Sequence, residues 1–245
     1  MNVMADAEGD ARRVRELVRR PASLARLHRE AEATGWGSWI ADVRMIGAGE
    51  VWPESAGRPL APVCQISLDE LPHRPPRLED VGWLSLFMAT DPAGEFVLPN
   101  STPNGEGWAL RAYPRDGDLV AVPDPPVRSR VQPASLAWSQ IEEDFPDWED
   151  AWGTLDGTAH EGDFLWYGEH VGQAAEGIKV GGWPSLVQSE ICWAPFNRHP
   201  ANPDYVLQID SLPELGLYWG HQGVLYVGRG DAAHSDVWTL EWQCL

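Results

Sequence analysis

Lysine is almost missing from this chain. Lys179 is the only one in 245 residues, and the other members of the 18 basic residues are arginines. Against them stand 37 acidic residues, for a formal net charge of -19. A surface so short of cations cannot neutralise phosphates, which excludes nucleic acid and anionic membrane as expected partners. The same imbalance steers a basic protein toward it. The charge is unevenly spread: residues 1–44 hold eight arginines against seven acids, and residues 45–245 hold ten basic against thirty acidic side chains.

Cysteine is also scarce. Cys64, Cys192 and Cys244 are odd in number and far apart, which argues against a disulfide framework and a structural zinc site. The opening "MNVMADAEGDARRVREL" has no apolar signal core, and no run approaches the ~20 apolar residues of a membrane span. A cytoplasmic location is the expectation.

Catalytic signatures are missing as well. There is no G-x-x-x-x-G-K-[ST] and no G-x-S-x-G. "GRGDAA" (228–233) imitates a dinucleotide fingerprint, but 12 residues remain after Ala233, too few for the helix and strand that must follow. His160, Glu161, Asp163, Glu169 and His170 gather ligand-type groups in "HEGDFLWYGEH", yet their spacing matches no metal motif, and Gly162 and Gly168 suggest turns around a short strand "DFLWY". Cys64 lies within the apolar "VCQI", where an inert buried thiol is normal. The expectation is no catalytic residue, no metal and no cofactor, with a non-enzyme favoured.

What the chain does have is tryptophan, 14 copies against 5 Phe and 5 Tyr, enough for a core with some left to line a surface. Val14, Leu17 and Val18, then Leu24, Leu27 and Ala31, recur at helical steps and predict two helices over 10–33, divided at Pro21 and stopped at Gly35. From residue 36, glycines and prolines bracket short apolar runs of strand length: "VCQISL", "VGWLSLFM", "YVLQID", "GVLYVGRG" and "VWTLEW". A short helix is predicted near 134–143, and 92–118 reads as a long loop or irregular strands. The fold class is α+β, β-dominated, with an N-terminal helical segment over 1–35 and β-rich halves over 36–131 and 132–245 in one compact domain.

Two of the strands echo each other. "VCQISLDELPHR" (63–74) and "YVLQIDSLPELG" (205–216) both place Gln-Ile on an apolar strand before a Leu/Pro/Glu-rich turn. A Trp-Pro turn precedes each, in "IGAGEVWP" and "IKVGGWPSLVQ", and a glycine-led strand ending in Asp follows each. From Gln65 to Gly82 is 17 residues, and from Gln208 to Gly223 is 15. The pattern reads as an internally duplicated β-rich unit. A buried glutamine must satisfy both ends of its amide. Gln65 and Gln208 are therefore expected to tie down a neighbouring loop, such as the Gly-Trp-Pro turn of their own half. In the other reading, both glutamines, with Asp210 and Trp183, face a cleft between halves, and Trp219 and His221 join Gln208, Asp210 and Trp183 in lining it.

"VCQISLDEL", "IKVGGWPSLVQ", "YVLQIDS", "LYWGHQGVLYV" and "WTLEWQC" together resemble, in order, the motifs of the YwqG family, a group of mostly bacterial soluble proteins of uncharacterised function. The chain departs from that family at His221, where an acid is common, and at "RMIGAGEVWP", where a lysine and a cleaner Gly-Gly-x-Pro are usual. The resemblance implies an α+β fold with a duplicated unit and no established reaction. Members are similar to proteins found beside secreted bacterial toxins, which implies an immunity-like, partner-binding role.

The acidic run "EEDFPDWED" (142–150) places Phe145 and Trp148 among six acids, a pattern suited to holding a basic partner. The expected function is thus a non-catalytic binding protein that captures a basic protein through an acidic, Trp-rich surface. Candidate binding residues are Trp183, Gln208, Asp210, Trp219, His221, Phe145 and Trp148. The alternative is a small-molecule binder or enzyme using a cleft between the halves.

Overall fold

The computed structural model describes residues 3–28, 36–99, 101–122, 124–155, 164–188, 191 and 199–245. Helix α1 (Val3–Val18) is followed at once by strand β1 (Arg20–His28). Short strands β2 (Trp39–Ile40), β3 (Met45–Gly47), β4 (Glu54–Ser55) and β5 (Arg58–Pro59) lead into β6 (Ala61–Ser67) and β7 (Val81–Met88). Then come β8 (Trp108–Pro114), β9 (Leu119–Ala121) and the long β10 (Ala134–Asp144). Helices α2 (Trp148–Leu155) and α3 (Phe164–His170) precede β11 (Lys179–Gly181), β12 (Asp204–Asp210), β13 (Val224–Arg229) and β14 (Trp238–Gln243). The β-dominated α+β expectation holds.

Ten strands form one sheet in the order β14-β13-β12-β11-β1-β10-β2-β6-β7-β8, and two small sheets pair β3 with β9 and β4 with β5. Every neighbouring pair in the large sheet is antiparallel. The order is mirrored about the central β1–β10 pair, with four strands on each side. Each flank borrows its innermost neighbour: β1 precedes β2 in the chain but pairs with β11, and β10 precedes β11 but pairs with β2. The sheet curls so that Trp242 on β14 donates its indole N–H to Pro99 O, in the β7–β8 connection of the opposite flank, at 3.1 Å. One apolar core runs through both flanks, with Ile66 and Leu84 from one and Leu207 and Leu225 from the other.

Three local expectations change. The second predicted helix is β1, the helix near 134–143 is β10, and the described residues of the short strand "DFLWY", 164–167, belong to α3. The reason for the first two is pairing. β1 and β10 supply each other with partners from Arg20↔Asp144 to His28↔Ser135, and such long-range ladders override weak local preference. The register shifts between Arg20 and Ala22, around Pro21, which has no N–H to give to a ladder. Gly35 lies outside the described residues.

The two glutamines are tethers. Gln65 Oε1 accepts from Arg44 N at 2.8 Å and Met45 N at 2.9 Å, and its Nε2 donates to Gly37 O at 2.8 Å. Gln208 Oε1 accepts from Ser185 N at 2.9 Å, and its Nε2 donates to Asp210 Oδ1 at 3.0 Å and to Gly177 O at 3.4 Å. Both side chains are fully buried. In the second flank the amide holds the residue after the Gly-Trp-Pro turn, as expected. In the first it holds the chain on both sides of β2, Gly37 before it and Arg44 and Met45 after it, because the strand facing Gln65 is β2, through Trp39↔Gln65, just as Lys179↔Gln208 joins β11 to β12. The Trp52–Pro53 turn has another job: Trp52 donates its indole N–H to Leu60 O at 2.7 Å. The echoed glycines allow close approaches. A Cβ on Gly82 would lie 2.6 Å from Arg115 Cα, and one on Gly223 would lie 2.1 Å from Trp219 O.

Gln65→Leu and Gln208→Leu remove the acceptor of a part-buried or buried backbone N–H. Each is expected to lower unfolding free energy by about 2–4 kcal/mol, read by urea titration with the m-value unchanged. A loss below about 0.5 kcal/mol would show that the tethers contribute little.

Candidate functional site

The end of β10 organises the polar interior of the second flank. Asp144 closes the β1–β10 pair, and its carboxylate reaches across to the lone lysine: Lys179 Nζ donates to Asp144 Oδ2 at 2.8 Å, with both side chains wholly buried. Asp144 also accepts from Ala175 N and Trp183 N, each at 2.7 Å. Burial pulls the Lys179 ammonium below its ordinary range, and the adjacent Asp144 carboxylate is the main influence that holds the proton on. Tyr205 OH donates toward Lys179 O and Gln208 Oε1, each at 3.3 Å, so the pair, the Gln208 tether and Tyr205 form one network. Its interior members are closed to solvent, which makes them a frame for a site.

The sequence candidates divide accordingly. Gln208 belongs to the frame. Trp183 is buried, with its indole N–H donated to Val18 O at 2.6 Å. Trp219 is fully buried against Phe96, ring centroids 5.5 Å apart. Phe145 is buried under α1, with the Arg15 guanidinium 4.7 Å from its ring centroid, so it cannot be the exposed anchor the acidic run suggested. The run itself is split: Glu143 bonds Arg15 and Arg19, Asp144 is internal, and Asp147 accepts from Leu186 N at 2.7 Å. Trp148, Asp210 and His221 remain accessible.

Those three lie on a pair of neighbouring depressions separated by Leu186 and Val187. The first, about 430 Å³, is lined by Asp147, Trp148, Glu149 and Glu169 together with Phe164 and Leu165. Trp148 is braced edge-on against Tyr167, centroids 5.4 Å apart. The second, about 590 Å³, carries Glu176, Asp210, Tyr218, His221 and Leu245. Among the described residues no lysine or arginine lines either depression. The apolar groups are open: Phe164 is 60% exposed, Leu165 71%, Tyr218 54% and Leu245 68%. Burial raises Asp147, and it pushes Asp210 up to about 6 against hydrogen bonds from Gly177 N and Gln208.

Sequence reasoning missed Lys179, Phe164, Leu165 and Tyr218. The signal for Lys179 was available, because a single lysine between Ile178 and Val180 on an apolar strand needs a buried partner. Of the metal-type residues, Glu169 and His170 sit on α3, with His170 Nδ1 2.9 Å from Trp166 O. His160, Glu161 and Asp163 lie outside the described residues, as does Cys192. Among the described residues no three His, Cys, Asp or Glu side chains gather to hold a metal ion, and no helix is long and apolar enough to cross a membrane. Burial pushes the Cys64 thiol up to about 12, which fits an inert core residue.

Over residues 45–244 the chain matches a family described as a domain of unknown function, DUF1963, and it belongs to that family. No curated protein matches it.

Lys179→Met would leave the buried Asp144 carboxylate without its cation. The expected cost is about 3–5 kcal/mol in chemical denaturation; retained stability would mean that the two backbone donors suffice. Asp210 gives a pH signature. The folded state holds this proton more tightly than the unfolded chain, where aspartate titrates near ~3.9. Its contribution is fullest below that value and is lost as pH rises through about 6. The stability of the wild type minus that of Asp210→Asn is expected to fall by up to about 3 kcal/mol between about pH 4 and about pH 7, then level off. A flat difference would contradict the raised carboxyl.

Proposed function

We propose that this protein is a non-catalytic binding protein that captures a basic protein partner on the double depression beside α2 and α3. One observation carries the reading: five carboxylates (Asp147, Glu149, Glu169, Glu176 and Asp210) surround open apolar groups, and among the described residues no lysine or arginine lines either depression. Charge of one sign accelerates encounter with an oppositely charged surface. Desolvated aromatic and aliphatic anchors supply the affinity that rim charges alone do not. Trp148 keeps the anchor role that the sequence gave to it and to Phe145, and Phe164 takes the place of Phe145. The net charge of -19 extends the attraction beyond the contact itself.

The resemblance of the quoted motifs to the YwqG family supports the finer form of the proposal, a bacterial, cytoplasmic, immunity-like protein whose partner is a basic toxin. The mirrored strand order and the matched Gln65 and Gln208 tethers support descent of the two flanks from one duplicated unit.

The test is calorimetric titration with purified basic products of neighbouring genes, taken one at a time, at about 50 mM and about 500 mM salt. Expected is a complex that weakens with salt and loses at least about tenfold in affinity in Glu149→Lys/Glu169→Lys and in Phe164→Ala/Leu165→Ala. The absence of any complex, or one indifferent to both double variants, would overturn the reading.

A further inference from the structure

A further cavity lies elsewhere, at about 780 Å³, a volume usual for small-molecule sites. Its walls come from both flanks: His73 and Arg77 from the β6–β7 connection, Tyr205 and Arg229 from β12 and β13, and Arg20 from the start of β1. None of Trp183, Gln208, Asp210, Trp219 or His221 lines it, and it shares no lining residue with the acidic depressions.

Three arginines around one cavity stand out in a chain with twice as many acids as bases. Arg229 is a wall rather than a free group. It is buried, gives Nη2 to Asp80 Oδ2 at 2.9 Å and Nη1 to Asp80 Oδ1 at 2.6 Å, and donates Nε to Ser235 O at 2.8 Å. Of the three carboxylates in the lining, Asp80 is therefore occupied. Asp231 holds His234 Nδ1 at 2.8 Å and the N–H of Ala233 at 3.0 Å. Asp204 is exposed.

Arg20 is different. Among the described residues its guanidinium makes no hydrogen bond and no ion pair; it lies over the Trp183 ring, 3.4 Å from the centroid. Burial disfavours its charge, against the weaker pull of Asp204, Asp150 and Asp144. Arg77 also has no ion pair among the described residues and gives one N–H to Asn202 O at 3.2 Å. A guanidinium held against an indole keeps its planar fork of N–H donors for a ligand, and that fork matches the paired oxygens of carboxylate or phosphate. A partly desolvated cation gains most from such a counter-charge.

We propose that this cavity binds a small molecule bearing an oxyanion, carboxylate or phosphate, with Arg20 as the seat and Arg77 as the second contact. The site does not depend on the partner-binding proposal.

The probes are succinate and inorganic phosphate, titrated calorimetrically against the full chain, with sodium chloride at matched ionic strength as the control. Expected is saturable one-site binding of at least one probe with Kd below about 1 mM, weakened at least about tenfold in Arg20→Gln and in Arg77→Gln. The succinate and phosphate arms identify which oxyanion is preferred. Arg77→Gln guards against a folding defect in Arg20→Gln, because among the described residues the Arg77 side chain gives only one long hydrogen bond, to a backbone carbonyl; each variant is checked by its unfolding midpoint. Glu149→Lys/Glu169→Lys is expected to leave binding unchanged. No saturable binding of either probe up to about 10 mM, or undiminished binding in folded Arg20→Gln and Arg77→Gln, would overturn the proposal.

Discussion

The pairing of β1 with β10 is the constraint on which the rest of the molecule depends. These two strands form the middle of a ten-stranded sheet, and each joins the flank that the other belongs to in sequence. Without that exchange, neither flank has an inner neighbour for its short strand, β2 or β11. A slip of one residue would turn the side chains of both strands to opposite faces. It would also displace Asp144, which stands opposite Arg20 at the end of the pair and reaches Lys179 on β11. One register thus places the buried ion pair, the backbone of the 175–183 segment, and the cavity arginine.

From that frame follows a separation of charge. Some acids point inward to defined partners, as Asp144 does to Lys179, or tie distant segments together, as Asp80 does to Arg229. Others gather on the two depressions divided by Leu186 and Val187, with no lysine or arginine beside them among the described residues. The arginines that are not spent on pairs with Glu143, Asp69 or Asp42 include two that face the 780 Å³ cavity. A single number, the net charge, hides two opposite environments. One is the proposed seat of a basic protein and the other of a small oxyanion.

Much of the sheet was legible because β6, β7, β12, β13 and β14 are continuous apolar runs bounded by glycine, proline and polar turns. β1 and β10 were not, because "RPASLARLH" and "ASLAWSQIEED" carry apolar residues at spacings that fit a helix as well as a strand. Their state is decided by each other, across more than a hundred residues of chain. Gln65 and Gln208 were recognisable as tethers from chemistry alone, since an amide on a buried strand needs partners. The segment that Gln65 holds was not recognisable, because the Trp-Pro resemblance in sequence does not coincide with the register match in space.

By itself the sequence determined that this is a β-dominated chain with an N-terminal helix, a strongly acidic surface and two glutamines that had to be bonded. Those properties follow from composition and short-range periodicity, which report how much surface is buried and which way neighbouring residues face. Only the tertiary structure decided that Phe145, Trp183 and Trp219 are interior while Phe164, Leu165 and Tyr218 are open. It also decided that the lone lysine is a buried counter-ion and that Arg20 faces a cavity without a bonded partner among the described residues. The fate of a charge depends on what the fold brings within a few ångströms of it, and those neighbours come from distant parts of the chain.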